Sequence, residues 1–438
     1  MLLIVAGLVG EFPQPAIALK GLTASEFEAI RHALQTYLQR PSGAKTNPNT
    51  APEILLGAQL YSDKNLSLLR NQSCASCHQL TAAKDATGLP FPAPGFVDAD
   101  NVGGGTPVSD GSVAGRFGKL NAPSVGYAAF SPPFHWDAKE ELYVGGQFWN
   151  GRASTLVEQA AGPFLNPNEM AMPGKAAVID RLKENASYRL LFWSVYKLNI
   201  ARPLTPSDAN AVYAAMTKAI AEFERLRSFS KFTSKFDYFM AGRTELSPLE
   251  RQGLDLYNGK AGCAGCHVSA PTKNKDGTWA PAMFTDFTYD NIGVPRNLNI
   301  PGNPEPDRGL GGRPDIIAVD PQGLEVGKHK VMSLRNIAIT PPYGHNGVFK
   351  TLEQITHFYN TRDKLGRVPN NRSSGFGVTG WPLPEIPQNV NADELGNLGL
   401  TAQEEAAIVA FMKTLTDGYP TWGRDPRVPS SASAPYGQ

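Results

Sequence analysis

Cys74-Ala75-Ser76-Cys77-His78 is written a second time as Cys263-Ala264-Gly265-Cys266-His267, and the two copies use all four cysteines of the chain. C-x-x-C-H is the attachment signature of a c-type haem: the two thiols form thioethers to the porphyrin and the next histidine gives iron an axial nitrogen. One C-x-x-C alone could be a disulfide, a redox motif or half of a zinc site. A zinc site built from both pairs would need them close together in the fold, although they stand in different halves of the chain. A disulfide would leave the trailing histidines without a role. The repeat therefore predicts a fold built around two covalently bound porphyrins, with His78 and His267 as iron ligands.

Composition narrows the rest. The 438 residues suffice for two or three domains that each bury a core. Lys plus Arg is 41 and Asp plus Glu is 40, so the basic field that nucleic-acid binding needs is missing. The 43 glycines and 36 prolines, with only 18% charged residues, predict fixed loops around short helices. Leu2 to Val9 is an apolar run of signal-peptide length and Ala16-Ile17-Ala18 resembles a cleavage site, but no Lys or Arg precedes the run. Residues 1–20 are read as a signal or leader remnant. Covalent haem attachment normally takes place outside the cytoplasmic membrane, which places the mature protein in the periplasm or at the cell surface. No stretch reaches the roughly 18 apolar residues of a membrane span.

The organisation is that of a duplication. Thr23-Ala24-Ser25-Glu26 is a capping box for a helix to about Arg40, and a linker, Pro41 to Pro52, completes a segment 21–52. Leu56-Gly57-Ala58-Gln59-Leu60-Tyr61 leads into the first motif as Gln252-Gly253-Leu254-Asp255-Leu256-Tyr257 leads into the second. The expected fold is mainly α, with two cytochrome c-like haem domains, 53–243 and 244–420, joined by long loops. Ala83 to Leu120 reads as one such loop. Thr205-Pro206 opens a long helix with Val212, Met216, Ile220 and Phe223 on one face. Ser247-Pro248-Leu249-Glu250 caps the helix entering the second motif, and Thr401-Ala402-Gln403-Glu404 caps a closing helix with Ile408, Phe411, Met412 and Leu415 inward. Pro, Ser and Ala after Tyr419 read as a surface tail, 421–438.

The two C-x-x-C-H motifs, Gln147-Phe148-Trp149-Asn150-Gly151-Arg152, Asn166-Pro167-Asn168-Glu169-Met170, Phe223-Glu224-Arg225 and Leu334-Arg335-Asn336 occur in the order found in bacterial dihaem cytochrome c peroxidases. The resemblance covers roughly residues 53–416 and is nearest to the MauG-like branch, whose type member oxidises tryptophans of a partner protein; peroxidase-like surface proteins of methane-oxidising bacteria also resemble it. Two departures from ordinary peroxidases set the branch. Where those enzymes carry a histidine that can block the N-terminal haem, this chain has Pro92-Ala93-Pro94-Gly95. Where they carry a methionine ligand of the C-terminal haem, this chain has Tyr359, as the MauG-like branch does. An anionic oxygen ligand favours the higher oxidation states of iron. Met332, His345 and His357 are the other residues that could reach that iron.

The resemblance also assigns roles. Glu169 matches the distal glutamate, and a carboxylate in a largely apolar pocket can take a proton from one peroxide oxygen and return it to the other. Gln159 and Pro163 are its companions: one can hydrogen-bond a ligand, the other offers no donor and limits what fits. Trp149 falls where the family places an indole between the haems, which would divide one long electron step into two. His135 to Val144, just ahead of it, has no counterpart in the simpler relatives and reads either as part of a partner site or as an embellished surface hairpin. A calcium ion is implied between the domains, with Asn121 giving its side-chain oxygen and Thr340 and Pro342 their carbonyls.

The function so implied is reaction with hydrogen peroxide at the His78 haem, followed by a high-valent two-haem state that oxidises a partner protein. The alternative is reduction of peroxide to water with electrons from a small cytochrome or cupredoxin. A non-catalytic electron-transfer cytochrome would need both irons blocked, and nothing near Pro94 offers the ligand. Because thioethers survive unfolding and axial bonds do not, denatured protein should keep both haems, and Cys77→Ala or Cys266→Ala should each weaken attachment at one site. Haem staining and iron analysis after denaturing electrophoresis check this; zinc without iron would refute it.

Overall fold

The structure, a computed structural model, describes residues 51–85, 87–273 and 279–436. The helix expected from Thr23 and the leader remnant lie outside these residues. Eight longer helices carry the fold: α1 (Ala51–Ser62), α2 (Leu156–Leu165), α3 (Lys175–Lys183), α4 (Ala186–Tyr196), α5 (Pro206–Glu224), α6 (Pro248–Asn258), α7 (Leu352–Thr361) and α8 (Ala402–Lys413). Helix α1 begins inside the stretch read as a linker. The predicted capping boxes form at Ser247 and Thr401, and Thr205 makes a third at the start of α5; each side chain accepts from the third helical N–H while the acid there reaches back to the cap.

Two apolar cores follow the duplication. One gathers buried residues from Leu56 to Phe229, including Val212, Met216 and Ile220 of α5. The other runs from Phe236 to Leu415, with Ile408, Phe411 and Met412 of α8 inward. In the first, α1 crosses α5; in the second, α6 crosses α8. Glycine makes both crossings. A Cβ on Gly57 would stand 2.0 Å from the Ala219 carbonyl oxygen, and one on Gly253 1.9 Å from that of Ala407. One turn beyond each glycine a buried tyrosine packs edge-on against the partner helix, Tyr61 on Phe223 at 5.3 Å and Tyr257 on Phe411 at 5.0 Å between centroids. The repeated Gly-x-x-x-Tyr spacing is thus a packing motif: a bare backbone where the helices touch, then a ring where they part.

Between Ala83 and Leu120 the described residues are irregular except for one helical turn at Ala99–Val102 and the isolated bridges Lys84–Pro90 and Asp110–Phe117. Their order comes from pairing with other loops: the Ser112 N–H donates to the Glu169 carbonyl at 2.6 Å, and Asn71 Nδ2 to the Ser112 carbonyl at 3.0 Å. Residues 135–144 form an antiparallel hairpin of β1 (His135–Asp137) and β2 (Leu142–Val144). No described helix is long and apolar enough to cross a membrane.

The expectation of a surface tail after Tyr419 is corrected. Val428 and Tyr436 are buried, the latter among Tyr127, Phe232 and Met283. The Asp425 carboxylate accepts from Thr244 Oγ1 at 2.5 Å and from Tyr419 Oη at 2.9 Å, and the Ser433 carbonyl accepts from Tyr238 and Arg243. Few, widely spaced side chains pin the segment, so its average composition looks exposed.

Gly253→Ala should destabilise the protein by about 3 kcal/mol, the upper end of what overpacking costs, because the new methyl meets backbone that cannot rotate away. Gly265→Ala is the control: a Cβ there meets nothing within 4 Å, and the first motif carries Ser76 at that place. Its change should stay within about 0.5 kcal/mol in denaturant titrations.

Candidate active site

Each C-x-x-C-H motif follows a helix that holds it through the same bond. Tyr61 Oη donates to the His78 carbonyl at 2.9 Å, and Tyr257 Oη to the His267 carbonyl at 2.6 Å. Each histidine is oriented by a backbone carbonyl, Nδ1 of His78 standing 3.4 Å from Phe96 O and Nδ1 of His267 3.0 Å from Phe284 O. A carbonyl can only accept, so Nδ1 carries the hydrogen and Nε2 keeps its lone pair for a metal. Burial moves both imidazoles towards the neutral form, His78 down to about 4.

The four cysteines are free. Burial pushes the Cys77, Cys263 and Cys266 thiols up to about 12, with Asp98 adding to the effect at Cys77 and Asp286 at Cys266. Among the described residues the one group close enough to share a metal is Cys266, Asp290 and Glu394, so the four cysteines do not assemble a zinc site.

The second motif opens onto a cavity whose walls bring together most of the predicted residues. Cys263, Cys266, His267, Tyr359, Trp149, Asn121, Thr340 and Pro342 all line it, with Ile355, Leu398 and Ile408 supplying apolar wall. A histidine held through Nδ1, two thiols outside any disulfide, a largely apolar wall and a further oxygen donor form a donor set that fits a haem. Of the other ligand candidates, Met332 and His345 also line the cavity. His345 is engaged elsewhere, with Nε2 3.2 Å from Glu385 Oε2, and His357 Nδ1 lies 2.9 Å from Glu405 Oε1. Burial and the neighbouring Asp290 hold the Tyr359 phenol protonated, so only a cation at its oxygen would ionise it.

Glu169 belongs to the first motif. It sits at the end of the Asn166-to-Met170 turn after α2, where Asn166 Nδ2 donates to its Oε1 at 2.6 Å. Burial raises its pKa, Arg152 and the Asn166 bond opposing, and its charge is felt by both Cys74 and Cys77. Gln159 and Pro163 stand one turn apart on α2, and the Pro163 carbonyl accepts from Met170 N–H at 3.2 Å, which folds the glutamate turn back onto that helix. The three distal candidates therefore share one helix-turn unit.

Trp149 is fixed by its indole N–H, which donates to the Asn121 carbonyl at 2.8 Å. Asn121 Nδ2 donates to Pro107 O at 3.0 Å, which leaves its oxygen as the atom for a cation. Thr340 and Pro342 share the cavity wall with it. Pro92 to Gly95 leads into Phe96 and is packed against this region: Ser124 Oγ donates to Gly95 O at 2.6 Å, and a Cβ on Gly95 would meet Ile339 O at 2.8 Å.

Three features of the structure go beyond the roles read from the sequence. His329 and His345 stack face to face, ring centroids 3.7 Å apart, with His329 Nε2 3.1 Å from Asp307 Oδ1. Lys330 is buried, donates to Ser131 Oγ at 2.5 Å and to the Gly146 carbonyl, and is lowered by burial to about 7. Glu224, the middle residue of Phe223-Glu224-Arg225, is buried near Tyr61 and Cys74 with no hydrogen-bond partner for Oε2, and burial pushes it up to about 8. The sequence pointed only at Glu224, through the Phe-Glu-Arg match, and at His345, as an alternative iron ligand, and gave neither of these roles.

A family model described as di-haem cytochrome c peroxidase matches residues 51–245. The methylamine utilization protein MauG of Paracoccus denitrificans is 38% identical over 368 residues, 83% of this chain and 88% of that protein. The cytochrome c peroxidase Ccp of Escherichia coli is 31% identical over 307 residues, 70% of this chain and 52% of that protein. Among solved structures, the diheme peroxidase BthA of Burkholderia thailandensis is similar with a TM-score of 0.66 at 27% identity, covering 91% of this chain and 92% of that one.

Glu224 sets a pH dependence. Its folded pKa lies above the unfolded value of 4.5, so its contribution to stability is full below that value and is lost as pH rises through about 8. Glu224→Gln cannot ionise and should gain on the wild type across that window; melting temperatures of both proteins from acid to mildly alkaline pH test this, and a difference that stays flat would refute it.

Proposed function

Because the chain belongs to the di-haem cytochrome c peroxidase and MauG family, we propose that it reduces hydrogen peroxide and delivers the oxidising equivalents to a partner protein, a tryptophan of that partner being the favoured target. Family membership makes it a haem oxidoreductase of the peroxidase type. The observation that carries the finer reading is that Tyr359 faces the same cavity as Cys266, His267 and Trp149. Two haems, held in separate domains by Cys74, Cys77 and His78 and by Cys263, Cys266 and His267, supply when bound the redox chemistry of peroxide reduction and of storing the second equivalent.

The chain's own residues do the rest. Glu169, with its affinity for a proton raised by burial and kept in check by Arg152, can take a proton and give it back at Oε2 while Asn166 holds Oε1. Gln159 offers an amide to an oxygen ligand, and Pro163 keeps its side of the helix free of donors. Tyr359 offers a hard oxygen donor, which favours oxidised over reduced iron. Trp149, hydrogen-bonded only through N–H to a neutral carbonyl, can give up an electron without first losing a proton. Asn121, Thr340 and Pro342 would hold a calcium ion beside it. Export to the periplasm or cell surface follows from the haem-attachment chemistry.

The second reading, peroxide reduction with electrons from a small cytochrome or cupredoxin, is favoured by the 31% identity to a cytochrome c peroxidase. Supplying either a reduced cytochrome or the candidate partner after stoichiometric peroxide separates the two. Fully oxidised, haem-loaded protein should react with peroxide without prior reduction, and Glu169→Gln should slow that reaction ~10²–10⁴-fold with haem content unchanged. Stopped-flow absorbance measures both; inertness until an electron is supplied would return the chain to the second reading.

A further inference from the structure

The inserted hairpin carries an unbroken row of aromatic rings from solvent to the loop that bears Trp149. Trp136 of β1 and Tyr143 of β2 are directly opposed in the register, and their ring centroids are 4.8 Å apart. Trp136 is 48% exposed, unusual for an indole with no pocket to fill. Tyr143 stacks on Phe134 at 5.2 Å with rings 7° from parallel, and Phe134 meets Tyr289 edge-on at 6.0 Å.

The row ends on the Trp149 loop. Phe134 and Tyr289 both lie against Gly151, where a Cβ would come within 2.9 Å of Phe134 Cδ2 and 2.1 Å of Tyr289 Oη, and whose φ of +66° also favours glycine. Arg313 clamps the junction, its guanidinium 4.1 Å above the Phe134 ring and donating to the Gly151 carbonyl at 2.6 Å. From Tyr289 the backbone passes to Asp290, which lines the cavity with Cys266 and Tyr359, and the strand paired to it donates Lys330 N–H to the Trp149 carbonyl at 2.8 Å.

We propose that Trp136 is the surface station through which electrons enter this protein from its protein substrate, passing along Tyr143, Phe134 and Tyr289 to the Trp149 loop and the cavity. The proposal rests on the peroxide-driven oxidation of a partner given above and names where the partner's electrons come in. The balance is simple. Reducing one hydrogen peroxide to two waters takes up two electrons and two protons. The electrons leave the Trp136 indole one at a time, and each vacancy is refilled by one electron from the partner in contact with it. The rings between act as a tunnelling medium: Tyr289 Oη faces a backbone carbonyl, Gly145 O at 2.5 Å, which cannot accept its proton, so the tyrosine need not be oxidised itself. With no partner present, two successive electron losses from Trp136 are closed by one water, which leaves one oxygen on the indole and releases the two protons that peroxide reduction consumes.

That last step makes the test. Haem-loaded protein without partner is given hydrogen peroxide, digested, and mapped by mass spectrometry, with oxygen gain counted per peroxide consumed. Trp136 should gain oxygen, whereas Trp193 should not, although it is 55% exposed, because it lies on α4 beside the other core and, among the described residues, no row of rings joins it to the cavity. Phe134→Leu keeps an apolar side chain against Gly151 but removes the middle ring, and should abolish the gain at Trp136. Equal oxidation of Trp136 and Trp193, an unmodified Trp136 while peroxide is consumed, or oxidation unaffected by Phe134→Leu would each overturn the proposal. Failure to consume peroxide at all would instead remove the function on which it rests, and the proposal with it.

Discussion

The crossings of α1 over α5 at Gly57 and of α6 over α8 at Gly253 fix the position of everything that follows them in the chain. With no side chain between the backbones, each helix pair can approach in one register only. That register sets the tyrosine one turn on, and its hydroxyl sets the carbonyl of the C-x-x-C-H histidine. The imidazole is then held from its other edge by Phe96 or Phe284, two residues at positive φ (53° each) that turn their carbonyls inward. Backbone strain of this kind persists where surrounding contacts over-determine it. Here the aromatic contacts do so: Phe96 packs on Phe229 at 4.8 Å and Phe284 on Phe236 at 5.1 Å.

The halves are locked together by a polar network that the motif residues supply. Arg335 forms a two-pronged pair with Asp237 at 3.0 and 3.1 Å, both side chains almost fully buried, under the rings of Tyr127 and Phe232. Next to it Asn336 Nδ2 donates to the Asp417 carboxylate at 3.0 Å, which also accepts from Tyr127 Oη at 2.8 Å and from Thr233 N–H at 2.9 Å. Removing one partner of such a pair leaves a buried charge uncompensated, so it acts as a register pin more than as a source of net stability. It holds Tyr127, from the segment just before the hairpin, against residues near the end of α8. Trp149, Asn121 and His345 are built on the same seam.

What was legible in the sequence was what repeats or what caps. The two motifs, the Gly-x-x-x-Tyr helices ahead of them and the capping boxes depend on residues a few positions apart, and local physics decides them. The distal set was legible only through its order along the chain, since the Asn166 bond that aims Glu169 cannot be read from spacing. The rest depended on partners far away in sequence. Tyr436 finds its core through Tyr127 and Phe232, Lys330 finds Ser131, and His329 finds His345, none of which leaves a periodic trace. A Pro- and Ser-rich composition misled at the C-terminus because three or four anchoring side chains are enough to hold a segment.

Charge near the two motifs does not tell them apart. Cys77 feels Asp98, Glu169 and Asp110; Cys74 feels Glu224; Cys266 feels Asp286, Asp290 and Glu394. Ionised carboxylates close to an iron centre lower its potential wherever they stand, so both sites would be biased in the same direction, Glu224 excepted because burial favours its neutral form. If surroundings alone decided the division of labour, the two haems of the proposed enzyme would be near equivalents. The difference then has to come from the residues specific to each site. At His267 that is Tyr359, a single oxygen donor at the cavity wall on a helix fixed by α8, which would hold its place through a redox cycle. At His78 it is a turn with a proton carrier, an amide and a proline, which would leave room for a small ligand and a proton to travel with it. The duplication supplies two similar cradles, and in the proposed enzyme the loops that were never duplicated would make one of them reactive and the other a store.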